Sequence, residues 1–269
     1  QGDVVQMTLS IPADEVTGHG NDMHASQMTA LAFDSVNPGE TSQYCYIAES
    51  AGVFKYHCSG VHLIGMDQHV FSGMYGIAIV DPANGYKKLM VEKTSGSGDL
   101  DRQFYDADAL EFQLQFNQLY LNEDGNYDAG AMFQHHNSAT VVNGIQFGYV
   151  PNMLHNILLK GDANKNIFVA QPWNGLELEN MQSQLLYVEN DQHVRLFIEN
   201  HGNEPLFFHI VGEILDRVTQ GNRVQSGATE TWLLGGSQNM IVDLVFDEPG
   251  AYALVNHDYA AIYTGGIGL

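Results

Sequence analysis

Ala51-Gly52-Val53-Phe54-Lys55-Tyr56-His57-Cys58 is the stretch on which the fold turns. A glycine turn opens it, and apolar and aromatic residues then dominate a short run, as on a strand packed against a core. Successive side chains on a strand point to opposite faces. His57 and Cys58 close the run as neighbours, so an imidazole goes to one side and a thiol to the other. Similar runs recur between Gly, Pro, Asn and Asp: Gln43–Ala48, Gly76–Val80, Leu110–Phe116, Asn166–Ala170, His193–Glu199, Leu206–Val211, Glu230–Leu234, Met240–Phe246 and Ala251–Val255. Long helical periodicity is absent, and the best helix candidate is a short one around Leu176–Leu185. The pattern predicts an all-β chain of β-sandwiches rather than a parallel α/β sheet.

Composition narrows the class. The chain has 269 residues, 44% of them apolar and only 16% charged, which excludes a disordered protein. Asp and Glu number 32 against 10 Lys and Arg, a net charge of −22, and such a surface repels phosphates, so no nucleic-acid partner is expected. No apolar run is long enough to predict a membrane span. No signal peptide is visible: Gln1-Gly2-Asp3 leads straight into an apparent strand, as in a mature or trimmed chain. Thr94-Ser95-Gly96-Ser97-Gly98-Asp99 is small, polar and glycine-rich. It predicts an N-terminal domain over 1–95, a linker over 96–110 and a C-terminal domain over 111–269. A weak repeat supports two copies of one sandwich. Val36–Thr41 precedes Ala51–Cys58 much as Val224–Thr229 precedes Pro249–His257.

Chemistry concentrates between Gly18 and Met74. His19-Gly20-Asn21-Asp22-Met23-His24 places two imidazoles five residues apart with a carboxylate between them. Tyr56-His57-Cys58 follows, then His69 with Met74 inside Ser72-Gly73-Met74-Tyr75-Gly76. The Cys58 thiolate, the His19 and His69 imidazoles and a weak Met74 thioether form the ligand set of a blue-type copper site. His24 and His57 then supply two ligands of a second metal, linked to the first through the His57–Cys58 peptide. Cys45 is left as a buried thiol.

These motifs, with Pro12–His24, Val36–Thr41, His69–Pro82, Val142-Asn143-Gly144, Phe208–Gly212, Glu230-Thr231-Trp232 and Pro249–His257 in order, resemble the copper-containing nitrite reductases. The resemblance implies two cupredoxin-like Greek-key β-sandwich domains. The chain would enter the first domain partway, without its opening strands. It implies a type 1 copper at His19, Cys58, His69 and Met74, and a type 2 copper at His24, His57 and His257. The third imidazole of the type 2 site comes from a neighbouring subunit of a homotrimer. Asp22 and His209 fall at the family's acid/base pair. Val211 falls at the aliphatic residue over the bound ligand, and Glu230 and Thr231 at residues that orient the catalytic histidine.

The expected reaction is reduction of nitrite to nitric oxide, which takes one electron and two protons. A small cupredoxin or cytochrome c would donate the electron, in the periplasm or another extracytoplasmic space. Oxidation of hydroxylamine or nitric oxide at the same centre stays open, as does a type 1 electron carrier. A two-domain laccase fits less well, because Ser59 stands where a trinuclear site needs a histidine. Out of context Asp22 can end a turn, His209 can be a core histidine, and Met66 rivals Met74. His62, His135, His136, His155, His193 and His201 match no ligand position and read as structural or exposed.

Overall fold

The computed structural model describes residues 1–26, 35–60, 65–94, 96–150 and 185–269. The strand expected over Asn166–Ala170 lies outside them, as do His62, His155 and all but the last residue of the helix expected around Leu176–Leu185. Among the described residues the chain is mostly β, with a few short helices. No described helix is long and apolar enough to cross a membrane.

The N-terminal part makes two small sheets. Strands β1 (Val4–Ser10) and β3 (Thr41–Ile47) pair antiparallel. Strand β4 (Gly52–His57) lies between β2 (Asp22–Met23) and β5 (Tyr75–Val80). Between β4 and β5 comes helix α1 (Met66–Phe71). Met23, Ala25, Tyr46, Ala48 and Val80 form the core here, with Val5, Met7 and Phe54 packed on it. Tyr44 and Tyr46 take the inward positions of β3, so Cys45 between them points out and is exposed. The expectation of a buried thiol is thereby corrected: strand alternation, not the apolar character of cysteine, sets its side.

Strands β6 (Leu89–Thr94) and β7 (Leu100–Tyr105) form a hairpin. The segment 96–110 read as a linker therefore carries a paired strand. Gly96 to Asp99 make its turn, which is why they look like linker residues.

Beyond it lie β8 (Leu110–Leu119), helix α2 (Ala129–Phe133), β9 (Ala139–Val142), β10 (His193–Asn200), β11 (Leu206–Val211) and β12 (Leu215–Gln220). Then come β13 (Arg223–Thr229), β14 (Thr231–Leu234), β15 (Asn239–Val245), β16 (Ala253–Asn256), helix α3 (Tyr259–Thr264) and β17 (Ile267–Gly268). A six-stranded sheet runs β13-β12-β15-β10-β8-β9, and a four-stranded sheet runs β14-β11-β16-β17. Leu114, Phe116, Ile198, Phe208, Leu234 and Val242 fill the space between them, and each contributes about 1.5–3 kcal/mol by leaving water.

One inter-sheet contact fixes the position of β4. Its face Val53, Lys55, His57 is buried by strand alternation. Val53 packs with Phe197 of β10 and Ile241 of β15. The Lys55 Nζ donates to the His201 carbonyl at 3.2 Å and to Ser237 Oγ at 3.0 Å. Gly52 has φ of +144°, and a Cβ there would sit 3.1 Å from the Gly221 Cα. The strand that ends in His57 is thus bound closely to the large sheet.

Candidate metal centres

The first group forms around Cys58, just past the end of β4. The Cys58 N–H donates to the Met74 carbonyl at 2.9 Å, and the Met74 N–H to the His69 carbonyl at 3.0 Å. This ladder ties α1 to the end of β4. Buried His19 exchanges both backbone hydrogen bonds with Val36, at 3.0 and 2.8 Å. The Cys58 Sγ lies 3.2 Å from His69 Nδ1 and 3.5 Å from His19 Nδ1, and it accepts the Gly60 N–H at 3.3 Å. The Nε2 atoms face elsewhere, His69 towards Thr17 Oγ1 at 3.4 Å and His19 towards Glu15 at 4.0 Å. Both imidazoles therefore offer the same atom, Nδ1, to the sulfur. Met74 is fixed here through its backbone, and the residue is 38% exposed.

The second group is Asp22, His24 and His57. Register across β2 and β4 sets Asp22 opposite His57. His57 Nδ1 donates to the Cys58 carbonyl at 2.8 Å, which fixes the tautomer and leaves Nε2 as the ligand atom. The His57 and His24 Nε2 atoms are 3.2 Å apart, with Asp22 Oδ2 at 3.7 and 3.5 Å from them. Burial pushes the His57 imidazole below its ordinary pKa, favouring the neutral, metal-binding form. A hydrogen bond to His24 holds the Asp22 carboxyl below its ordinary value against the opposing effect of burial. The donor atoms of each group lie within 4.8 Å of one another.

The remaining candidates lie together elsewhere. Pairing of β11 with β14 and β16 puts His209 opposite Thr231 and Phe208 opposite Asn256. His209 Nδ1 donates to the Glu230 carbonyl at 2.7 Å and has Thr231 Oγ1 at 3.4 Å. The Glu230 carboxylate lies 3.5 Å from the same nitrogen. The His209 and His257 rings are 5.3 Å apart. His257 is exposed, and Val211 is 49% exposed. Within one chain, among the described residues, neither histidine joins Asp22, His24 and His57.

Sequence reasoning passed over a buried polar set behind His57. Glu199 on β10 and His201 just past its end are almost fully buried, and among the described residues the His201 ring nitrogens have no hydrogen-bond partner. Burial pushes the Glu199 carboxyl up to about 8 and the His201 imidazole down to about 2. Arg195, Phe197 and Glu199 alternate along β10 and His201 continues that spacing past its end, a signal that marks one face but not what that face meets.

The donor chemistry of both groups fits copper. A thiolate with two imidazoles suits a metal that cycles between soft and borderline states, and imidazoles suit Cu(II). Hard cations such as magnesium and calcium prefer all-oxygen sites.

No family model matches the chain. Over its whole length it is 26% identical to the copper-containing nitrite reductase of Neisseria gonorrhoeae, and 24% identical over 96% of its length to that of Rhizobium sullae. The chain spans 58% of the length of the first of these relatives and 61% of the second. Among solved structures it matches the copper nitrite reductase of Nitrosomonas europaea with a TM-score of 0.73 and 28% identity, covering all of this chain and 79% of that one. A multicopper oxidase matches with a TM-score of 0.67 at 19% identity, covering all of this chain and 74% of that one; this shows a shared fold alone. Fold and donor groups together define the class as a two-domain cupredoxin. Within that class its sequence is similar, over its whole length, to copper-containing nitrite reductases.

Proposed function

We propose that the protein reduces nitrite to nitric oxide. One observation carries this reading: two adjacent residues, His57 and Cys58, serve two separate donor groups. His19, Cys58, His69 and Met74 would hold a type 1 copper, and His24 and His57 two sides of a type 2 copper. Copper there supplies one-electron redox chemistry and a cationic seat for an anion. The Cys58–His57 peptide is the shortest covalent path for an electron between the groups.

The type 2 site is completed across a subunit interface by His257 of the partner subunit, with His209 of the partner subunit beside it. The exposure of His257 and Val211 and their separation from Asp22, His24 and His57 support this arrangement, which requires an oligomer, on this reading a homotrimer. Nitrite, one electron and two protons give nitric oxide and water. Asp22 Oδ2 faces both imidazole Nε2 atoms and can hold a proton at the place where a nitrite oxygen leaves. His209, oriented by the Glu230 carbonyl, supplies the second proton. Val211 borders the anion. The electron donor is a small cupredoxin or cytochrome c, and the location is periplasmic or otherwise extracytoplasmic. The division into domains over 1–95 and 111–269 belongs to the same reading.

The test is to load the protein with copper, size it in solution and supply nitrite with a one-electron donor. A trimer that releases one nitric oxide per electron supports the reading. A copper-loaded monomer inert towards nitrite overturns it.

A further inference from the structure

Helix α1 carries His69 but has little to hold it in place. It is six residues long, its N-cap Gly65 provides no side-chain hydrogen bond, and Val70 is its buried residue. A helix this short is not stable by itself. Its anchors come from the far side of the chain. The Tyr127 hydroxyl donates to Asp67 Oδ2 at 2.5 Å. Phe71 meets Tyr120 edge-to-face at 5.1 Å between ring centroids and stacks near-parallel on Tyr127 at 6.2 Å. Tyr120 and Tyr127 are themselves fixed. Tyr120 is fully buried, and its hydroxyl donates to Glu204 Oε1 at 2.9 Å, an atom that His135 Nδ1 also approaches at 2.9 Å. Leu121 and Tyr127 bridge antiparallel, and the turn between them is braced by Asn122 Oδ1, which accepts the Asp124 and Asn126 N–H groups at 3.0 Å. So the two tyrosines stand on a rigid extension of β8, and the aromatic and acidic side chains of α1 reach out to them.

We propose that Tyr120, Tyr127, Phe71 and Asp67 are positioning residues that set the orientation of His69 towards Cys58. The inference rests on the reading that Cys58 and His69 hold copper, and goes beyond it by assigning the support of His69 to the segment that follows β8. His69 lies between the two clamped residues, two positions from each. Its free edge meets Thr17 Oγ1 at 3.4 Å, a long contact. Loss of the clamp lets α1 rotate, and the distance from Nδ1 to Sγ follows.

The experiment compares copper-loaded wild type with Tyr127→Phe, Asp67→Ala and Phe71→Leu. It reads the thiolate-to-copper charge-transfer spectrum and the rate of copper loss to a chelator, well below the melting temperature. The expected result is a folded, copper-binding protein in each case, with a changed ratio of charge-transfer band intensities. Copper loss should be about tenfold faster, the low end of what losing the outer support of a metal ligand costs in affinity. A purely structural role for the clamp would lower the melting temperature and leave the spectrum alone. Unchanged spectra and loss rates in all three variants overturn the proposal and leave the copper reading standing. A wild-type protein without a thiolate-to-copper band overturns the copper reading itself.

Discussion

Replacing Gly60 with alanine should damage the Cys58 group far more than one added methyl suggests. A Cβ on Gly60 would lie 2.4 Å from the His19 Cα, 2.7 Å from the Gly18 carbonyl oxygen and 2.7 Å from the Gly20 nitrogen. Carbon atoms in contact prefer a separation of about 3.5–4.0 Å, so the His19 backbone must retreat by about 1 Å. All three obstructing atoms are backbone, and no side chain can rotate to make room. His19 Nδ1 already stands at 3.5 Å from Cys58 Sγ, the longer of the two imidazole distances, and the retreat opens it further. The Gly60 N–H that donates to the sulfur moves as well. Overpacking of this kind costs about 1–3 kcal/mol of stability. In a protein of this size each kcal/mol lowers the melting temperature by about 2–4 °C. Copper affinity should fall about 10–100-fold as one imidazole is displaced. Thermal melting of the apoprotein and chelator competition of the loaded protein measure the two effects. A Gly60→Ala protein that melts and binds copper like wild type would refute the close approach of His19 to Cys58.

Three further outcomes are expected. Asp22→Asn should lower nitrite turnover by about 10²-fold or more, the range of general acid–base catalysis, and steady-state turnover near the wild-type value removes Asp22 from the mechanism. His257→Ala should keep the coloured centre and abolish nitrite reduction, as read by optical spectra and nitric oxide release; loss of the colour contradicts the assignment. Glu199 is a buried acid raised to about 8 from an ordinary 4.5, so the folded state binds more protons than the unfolded state between these values. Its contribution to stability therefore falls as pH rises through that window. Glu199→Gln should flatten the melting temperature across it, and a slope as steep as wild type would show that Glu199 is not the group responsible.

The all-β class was legible because Val, Ile, Tyr and Phe runs alternate between turn residues throughout, and no competing helical period is present. The split of His57 from Cys58 was legible for the same reason, since it follows from strand alternation alone. Cys45 shows where that reasoning was not applied: its neighbours Tyr44 and Tyr46 already claimed the inward side. The β6–β7 hairpin was not legible because its turn residues, Gly96 to Asp99, look the same in a linker and in a hairpin. The contact that buries Lys55, Glu199 and His201 was not legible for a different reason. A strand pattern marks which side of β4 and β10 is buried but not that the two sides face each other, and that contact joins residues far apart in the chain. The clamp on α1 is equally long-range, since it needs Asp67 and Tyr127 to meet across 60 positions.

The separate loss of two copper ions tests the central claim most directly. Copper content and optical spectra would be measured on wild type, Cys58→Ser and His57→Ala prepared in parallel. The account predicts that Cys58→Ser loses the coloured centre and keeps the other copper, while His57→Ala keeps the coloured centre and loses the other. If either substitution empties both positions, or both remove the same single ion, the two side chains share one centre and the account is contradicted.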